Sequence, residues 1–116
     1  MRVLLVDDDQ SFRVLVRTLL EAGGLAVDIV GEAADGEQAI ALALELRPDV
    51  ILMDLDMPRL DGAAATLAIK RVLPETRVLM LTGSARGGEA AETAEVELIP
   101  KPGLDVDALD RVLRVS

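Results

Sequence analysis

Four apolar runs set the limits of this chain. Val3-Leu4-Leu5-Val6 leads into Asp7, Asp8 and Asp9, and Val50-Ile51-Leu52-Met53 leads into Asp54. Val78-Leu79-Met80-Leu81 leads into Thr82, and Val96-Glu97-Leu98-Ile99-Pro100 into Lys101. Runs of Val, Ile and Leu without polar alternation fit strands buried on both faces, which pair in parallel beneath helices. An open parallel sheet delivers its C-terminal strand ends to one edge, where ligands bind. Acids, a hydroxyl and a lysine then converge on one pocket, a set suited to a divalent cation and a phosphoryl group.

Helical patterns fill the spaces between these runs. Strands are read at residues 2–7, 26–31, 49–54, 77–82 and 96–100. Phe12, Leu15, Val16, Leu19 and Leu20 recur at helical spacing until Gly23-Gly24 stops the helix. Asp35 with Gln38 resembles a capping box for a helix through Leu46, before Pro48. Asp61 caps a helix to about Leu73, ended by Pro74, and a final helix runs from Leu104 to Val115. The result is a (βα)5 chain forming one domain over residues 1–116. Right-handed crossovers make it a doubly wound, five-stranded parallel sheet in a three-layer sandwich. One helix is thin. Between Thr82 and Val96 there is no Leu, Ile, Val, Met or Phe, and residues 89–95 have only alanine for an apolar face. That fourth helix is expected to be short or mobile, since buried alanine removes little apolar surface.

Composition excludes several chemistries. The chain has no Cys and no His, which argues against zinc, haem and imidazole base catalysis. A phosphohistidine carrier is excluded on the same ground. A net charge of −9 with scattered arginines opposes direct contact with nucleic acid. No apolar run approaches the ~20 residues of a membrane span. No signal peptide precedes the first strand, so a cytoplasmic location is expected.

The strand ends carry the chemistry. Asp7, Asp8 and Asp54 brought together would repel one another, and a hard cation relieves this, Mg²⁺ best suiting carboxylates and water. An Asp at such a place also serves as a helix cap, and Asp9 is assigned that role. Asp54 ends a wholly apolar strand, where a charge is costly without partners, and a carboxylate there can act as a nucleophile. Ten arginines stand against two lysines, Lys70 and Lys101, so a lysine at a strand end points to a need for a compact charge. Thr82 offers a hydroxyl to a phosphoryl oxygen, and Gly83 leaves room for a donor. Met57-Pro58 and Asp61-Gly62 turn the chain back to a helix start, which brings the Asp56 carbonyl toward the cation.

In this order, Leu4-Leu5-Val6-Asp7-Asp8-Asp9, Pro48 to Pro58 with Asp61-Gly62, Val78 to Thr82 and Lys101-Pro102 resemble the receiver domain of two-component response regulators. The resemblance covers essentially the whole chain. It implies a flavodoxin-like fold with strand order 2-1-3-4-5. It implies that Asp54 accepts a phosphoryl group from a sensor histidine kinase or phosphotransfer protein. Mg²⁺ would be held by Asp7, Asp8, Asp54 and the Asp56 carbonyl, while Thr82 and Lys101 would bind phosphoryl oxygens and couple phosphorylation to a shift of the fourth strand, fourth helix and fifth strand. A cis Lys101-Pro102 bond is also implied. Residues 29–36 look like receivers that precede a helix-turn-helix output domain, which is absent from this sequence. A monomer or weak homodimer is expected.

Three features depart from that pattern. Leu98 stands where receivers often carry an aromatic switch residue, and Gly103 follows Lys101-Pro102 in place of the usual aromatic. The 18 residues between Thr82 and Lys101 are fewer than usual. Two other readings compete. One is a receiver that serves as a binding module without phosphorylation. The other is a phosphohydrolase of the haloacid dehalogenase type, suggested by Asp54-Leu55-Asp56, although there the metal acids follow the lysine.

Overall fold

The computed structural model describes residues 1–57, 59–83 and 96–114. The elements in chain order are β1 (Arg2–Val6), α1 (Gln10–Ala22), β2 (Asp28–Ala33), α2 (Gly36–Leu46), β3 (Val50–Asp54), α3 (Gly62–Val72), β4 (Arg77–Thr82), β5 (Glu97–Pro100) and α4 (Val106–Arg114). All strand pairs are parallel, in the order β2-β1-β3-β4-β5. The helix expected over 89–95, with its predicted mobility, lies outside the described residues.

The apolar runs are buried on both faces because successive side chains leave a strand on opposite sides. Val3 and Leu5 of β1 join Leu52, Leu79 and Leu81 in one cluster, which α1 and α4 cover with Val16, Leu20, Leu109 and Leu113. Leu4, Val6, Ile51 and Met53 point the other way, beneath Ala39, Ala43, Ala65 and Ile69 of α2 and α3. Each fully buried Leu or Ile contributes about 1.5–3 kcal/mol, so this two-sided sheet dominates the stability.

Caps set the helix starts. Asp9 accepts from the N–H groups of Ser11 and Phe12, and Asp61 from that of Ala64. Asp35 accepts from Gln38 N–H, while the Gln38 amide oxygen accepts from Ala34 N–H at 3.0 Å, so the capping box closes one residue earlier than the ideal motif. The final helix begins at Val106 rather than Leu104, because Asp105 accepts from Ala108 N–H at 2.8 Å and caps it.

The largest boundary correction is β2, which occupies 28–33 rather than 26–31. Its register with β1 jumps from Val3 opposite Ile29 to Leu4 opposite Gly31, so Val30 is an extra residue at a bulge. Gly31 therefore lies within the strand. A Cβ there would come within 2.9 Å of Leu46 Cδ1 and 3.4 Å of Leu4 Cδ1, so the missing side chain lets α2 pack close.

Candidate functional site

Parallel pairing aligns the strand ends in space. Val6 of β1 stands opposite Met53, and Asp54 stands opposite Leu81, one residue before Thr82. Asp7 follows β1 directly and fixes its backbone by donating N–H to Ala33 O. Thr82 in turn accepts from Lys101 N–H at 2.8 Å, which brings the residue after β5 to the same edge.

Asp7 and Asp54 are buried, at 3% and 2% exposure, whereas Asp8 is exposed. The three carboxylates offer one oxygen each within 4.8 Å of one another, a cluster able to hold a metal ion. The donor set is all oxygen and carries three formal negative charges, which fits a hard cation such as Mg²⁺. Lys101 Nζ lies 2.9 Å from Asp7 Oδ2 and 3.1 Å from Asp54 Oδ1. It also stands over the Phe12 ring, 4.4 Å from the centroid. Thr82 is buried at the end of β4, and Asp56 donates its N–H to Asp54 Oδ1 at 3.3 Å with its own side chain exposed.

Electrostatics follow from burial. Desolvation pushes the Asp54 carboxyl from 3.8 up to about 7; the Lys101 hydrogen bond opposes this, and the Asp7 charge adds to it. Burial alone would lower Lys101, but the Asp7 and Asp54 carboxylates outweigh it and raise the ammonium above its ordinary value. The site is thus an ion pair with one excess buried carboxylate.

Two glycines fit the chain after Asp54 closely. A Cβ on Gly62 would lie 2.1 Å from the Asp54 carbonyl oxygen, so α3 starts directly against the backbone of the site. A Cβ on Gly36 would lie 2.2 Å from Leu60 O, so the start of α2 seats the same loop. At Gly83, a Cβ would meet nothing within 4 Å among the described residues, consistent with the open space expected there.

The expected cis bond is corrected: among the described residues no peptide bond is cis. Leu104 N–H donates to Lys101 O at 3.1 Å and Gly103 has φ +79°. These are the marks of a type II turn with trans Pro102 at its first corner and glycine at its second. Gly103, which replaces the usual aromatic, is what makes that turn available.

Sequence reading missed two supports. Arg13 donates from Nη1 to the Asp7 carbonyl and from Nε to Glu32 Oε1 at 2.9 Å, tying α1 to both β1 and β2. Phe12, an apolar position of α1 by its spacing, also turns its ring toward the Lys101 ammonium. The available signals were a cation four positions past the cap Asp9 and the chain's single aromatic residue.

Comparison with known proteins places this architecture. A family model for the response regulator receiver domain matches residues 3–113. A protein-glutamate methylesterase/protein-glutamine glutaminase 1 from Geobacter sulfurreducens is 39% identical over 119 residues, covering 98% of this chain and 32% of that protein. This chain thus spans about a third of the length of the curated relatives it matches. The response regulator domain of Thermotoga maritima CheB superposes with a TM-score of 0.81 at 34% identity, over 97% of this chain and 90% of that one. A chain of the CheX-CheY-BeF3-Mg+2 complex from Borrelia burgdorferi gives 0.86 at 26% identity, over 99% and 88%. With its five-stranded sheet and acidic edge, the chain belongs to the response regulator receiver domain family.

Proposed function

We propose that this chain is a phosphoacceptor in a two-component phosphorelay, with Asp54 as the acceptor. The observation that carries the reading is Asp54 itself: a buried carboxylate at a strand end, paired with Lys101 and clustered with Asp7 and Asp8. Asp7, Asp8, Asp54 and the Asp56 carbonyl would hold Mg²⁺. When bound, the ion neutralises charge on the phosphoryl oxygens and on the acids.

The chain's own residues do the rest. An Asp54 carboxylate oxygen attacks phosphorus and forms an O–P bond as the N–P bond to the donor imidazole breaks. The imidazole leaves with the electron pair and takes a proton from solvent. Lys101 neutralises a phosphoryl oxygen as a compact charge, and Thr82 donates its hydroxyl to another. Gly83, where a Cβ would meet nothing within 4 Å among the described residues, would give the donor room. The donor is a sensor histidine kinase or a phosphotransfer protein, and the site lies in the cytoplasm where such donors present it.

Beryllofluoride, a phosphoryl mimic, tests the reading. With Mg²⁺ it is expected to shift amide NMR signals around Asp54, Thr82 and Lys101 in the native chain and not in D54N. No change in the native spectrum at saturating ligand would defeat the proposal.

A further inference from the structure

Lys101 faces a problem of partners. Its long, flexible stem loses rotamer entropy when it is held, so it needs contacts to stay at the edge. Two of those contacts are Asp7 Oδ2 and Asp54 Oδ1, which belong to carboxylates of the candidate cation cluster. Any cation or phosphoryl group engaging those oxygens competes with the ammonium for them. The face of Phe12, 4.4 Å from Nζ, is not subject to that competition.

The ring is held on several sides. Asp9 Oδ1 accepts from Phe12 N–H at 3.4 Å and from Ser11 N–H at 2.9 Å, fixing the first turn of α1. The next residue, Arg13, is anchored to the Asp7 carbonyl and to Glu32. The ring itself packs against the sheet cluster that contains Leu5, Leu52 and Leu81. A π face within about 6 Å of an ammonium attracts it through the ring quadrupole, and more strongly where water is partly excluded. The Lys101 side chain is 24% exposed, so water is partly excluded here.

We propose that Phe12 is a positioning residue for Lys101: its ring face keeps the ammonium at the sheet edge while Asp7 and Asp54 change partners. The inference rests on the phosphoacceptor reading of this edge and adds to it a residue from the opposite end of the chain.

The chain's lack of Tyr and Trp makes the test clean, because any ring-current shift at Lys101 can come only from Phe12. In the native chain the Lys101 Cε protons should be shifted upfield, and should stay so when Mg²⁺ alone is added. Loss of that shift on adding Mg²⁺ overturns the inference, whether or not beryllofluoride binds. F12L keeps the apolar bulk but not the π face, and F12Y keeps both. F12L should weaken beryllofluoride binding about fivefold, while F12Y should stay near the native value. In a K101M background, F12L should add no further loss. An equal loss in both backgrounds would make Phe12 a packing residue, and no loss with Lys101 present would remove it from the site. A native chain that binds no beryllofluoride but keeps the Lys101 shift would defeat the phosphoacceptor reading alone. Thermal unfolding of F12L and F12Y checks that both variants fold.

Discussion

At the scale of residues, the site is an imbalance of charge held together by one lysine. Lys101 reaches two buried carboxylates, and among the described residues no other cation forms an ion pair with Asp54. K101M should therefore destabilise the metal-free chain by about 1–3 kcal/mol, and added Mg²⁺ should recover part of the loss in denaturant titrations. Asp54 makes a second prediction. Its carboxyl is raised from 3.8 to about 7, so between those values the unfolded chain releases a proton that the folded chain keeps. Asp54 thus costs stability as pH rises through that window, and the cost is absent below it. In metal-free urea melts, D54N should gain on the native chain from pH 4 to pH 7; a difference that stays flat contradicts the shift. Asp54, Asp7, Asp8 and Lys101 were legible because each ends an apolar run in the sequence. The Phe12 contact was not, because apolar periodicity on α1 says nothing of which ring face a distant lysine meets.

At the scale of elements, glycines and caps decide where the site's backbone runs. Gly62 is the sharpest case, with the Asp54 carbonyl where a Cβ would stand. G62A should lose about 1–3 kcal/mol in thermal unfolding and weaken beryllofluoride binding as well, because relief requires the end of β3 or the start of α3 to move. G83A, whose Cβ would meet nothing within 4 Å among the described residues, should leave stability nearly unchanged. The helix starts at Asp9, Asp35 and Asp61 were readable from cap chemistry. The start at Asp105 carried the same signal but was hidden by the apolar Leu104 before it. The β2 boundaries were less legible, since a bulge opposite Val3 and Leu4 depends on pairing between strands. Likewise the Lys101-Pro102-Gly103 turn follows from local φ preference and overrides the family expectation of a cis bond.

At the scale of the whole molecule, one arrangement produces both stability and site. Strands buried on two faces need helices on both sides, and parallel crossovers then send every C-terminal strand end to the same edge. The order β2-β1-β3-β4-β5 puts the β1 and β3 acids side by side, with β4 and β5 bringing Thr82 and Lys101. This much was legible because non-alternating apolar runs leave few other folds. Residues 84–95, in the stretch that the family resemblance assigns to signalling, lie outside the described residues, and Leu98 stands in β5 among Leu55, Met80 and Val96. The central claim is that Asp54 takes a phosphoryl group. It is tested most directly by incubating the native chain and D54N with a small acyl phosphate or phosphoramidate and Mg²⁺, then measuring intact mass. The account predicts one added phosphoryl group on the native chain, mapped to Asp54, and none on D54N. An unchanged native mass, or the same increase on D54N, would contradict it.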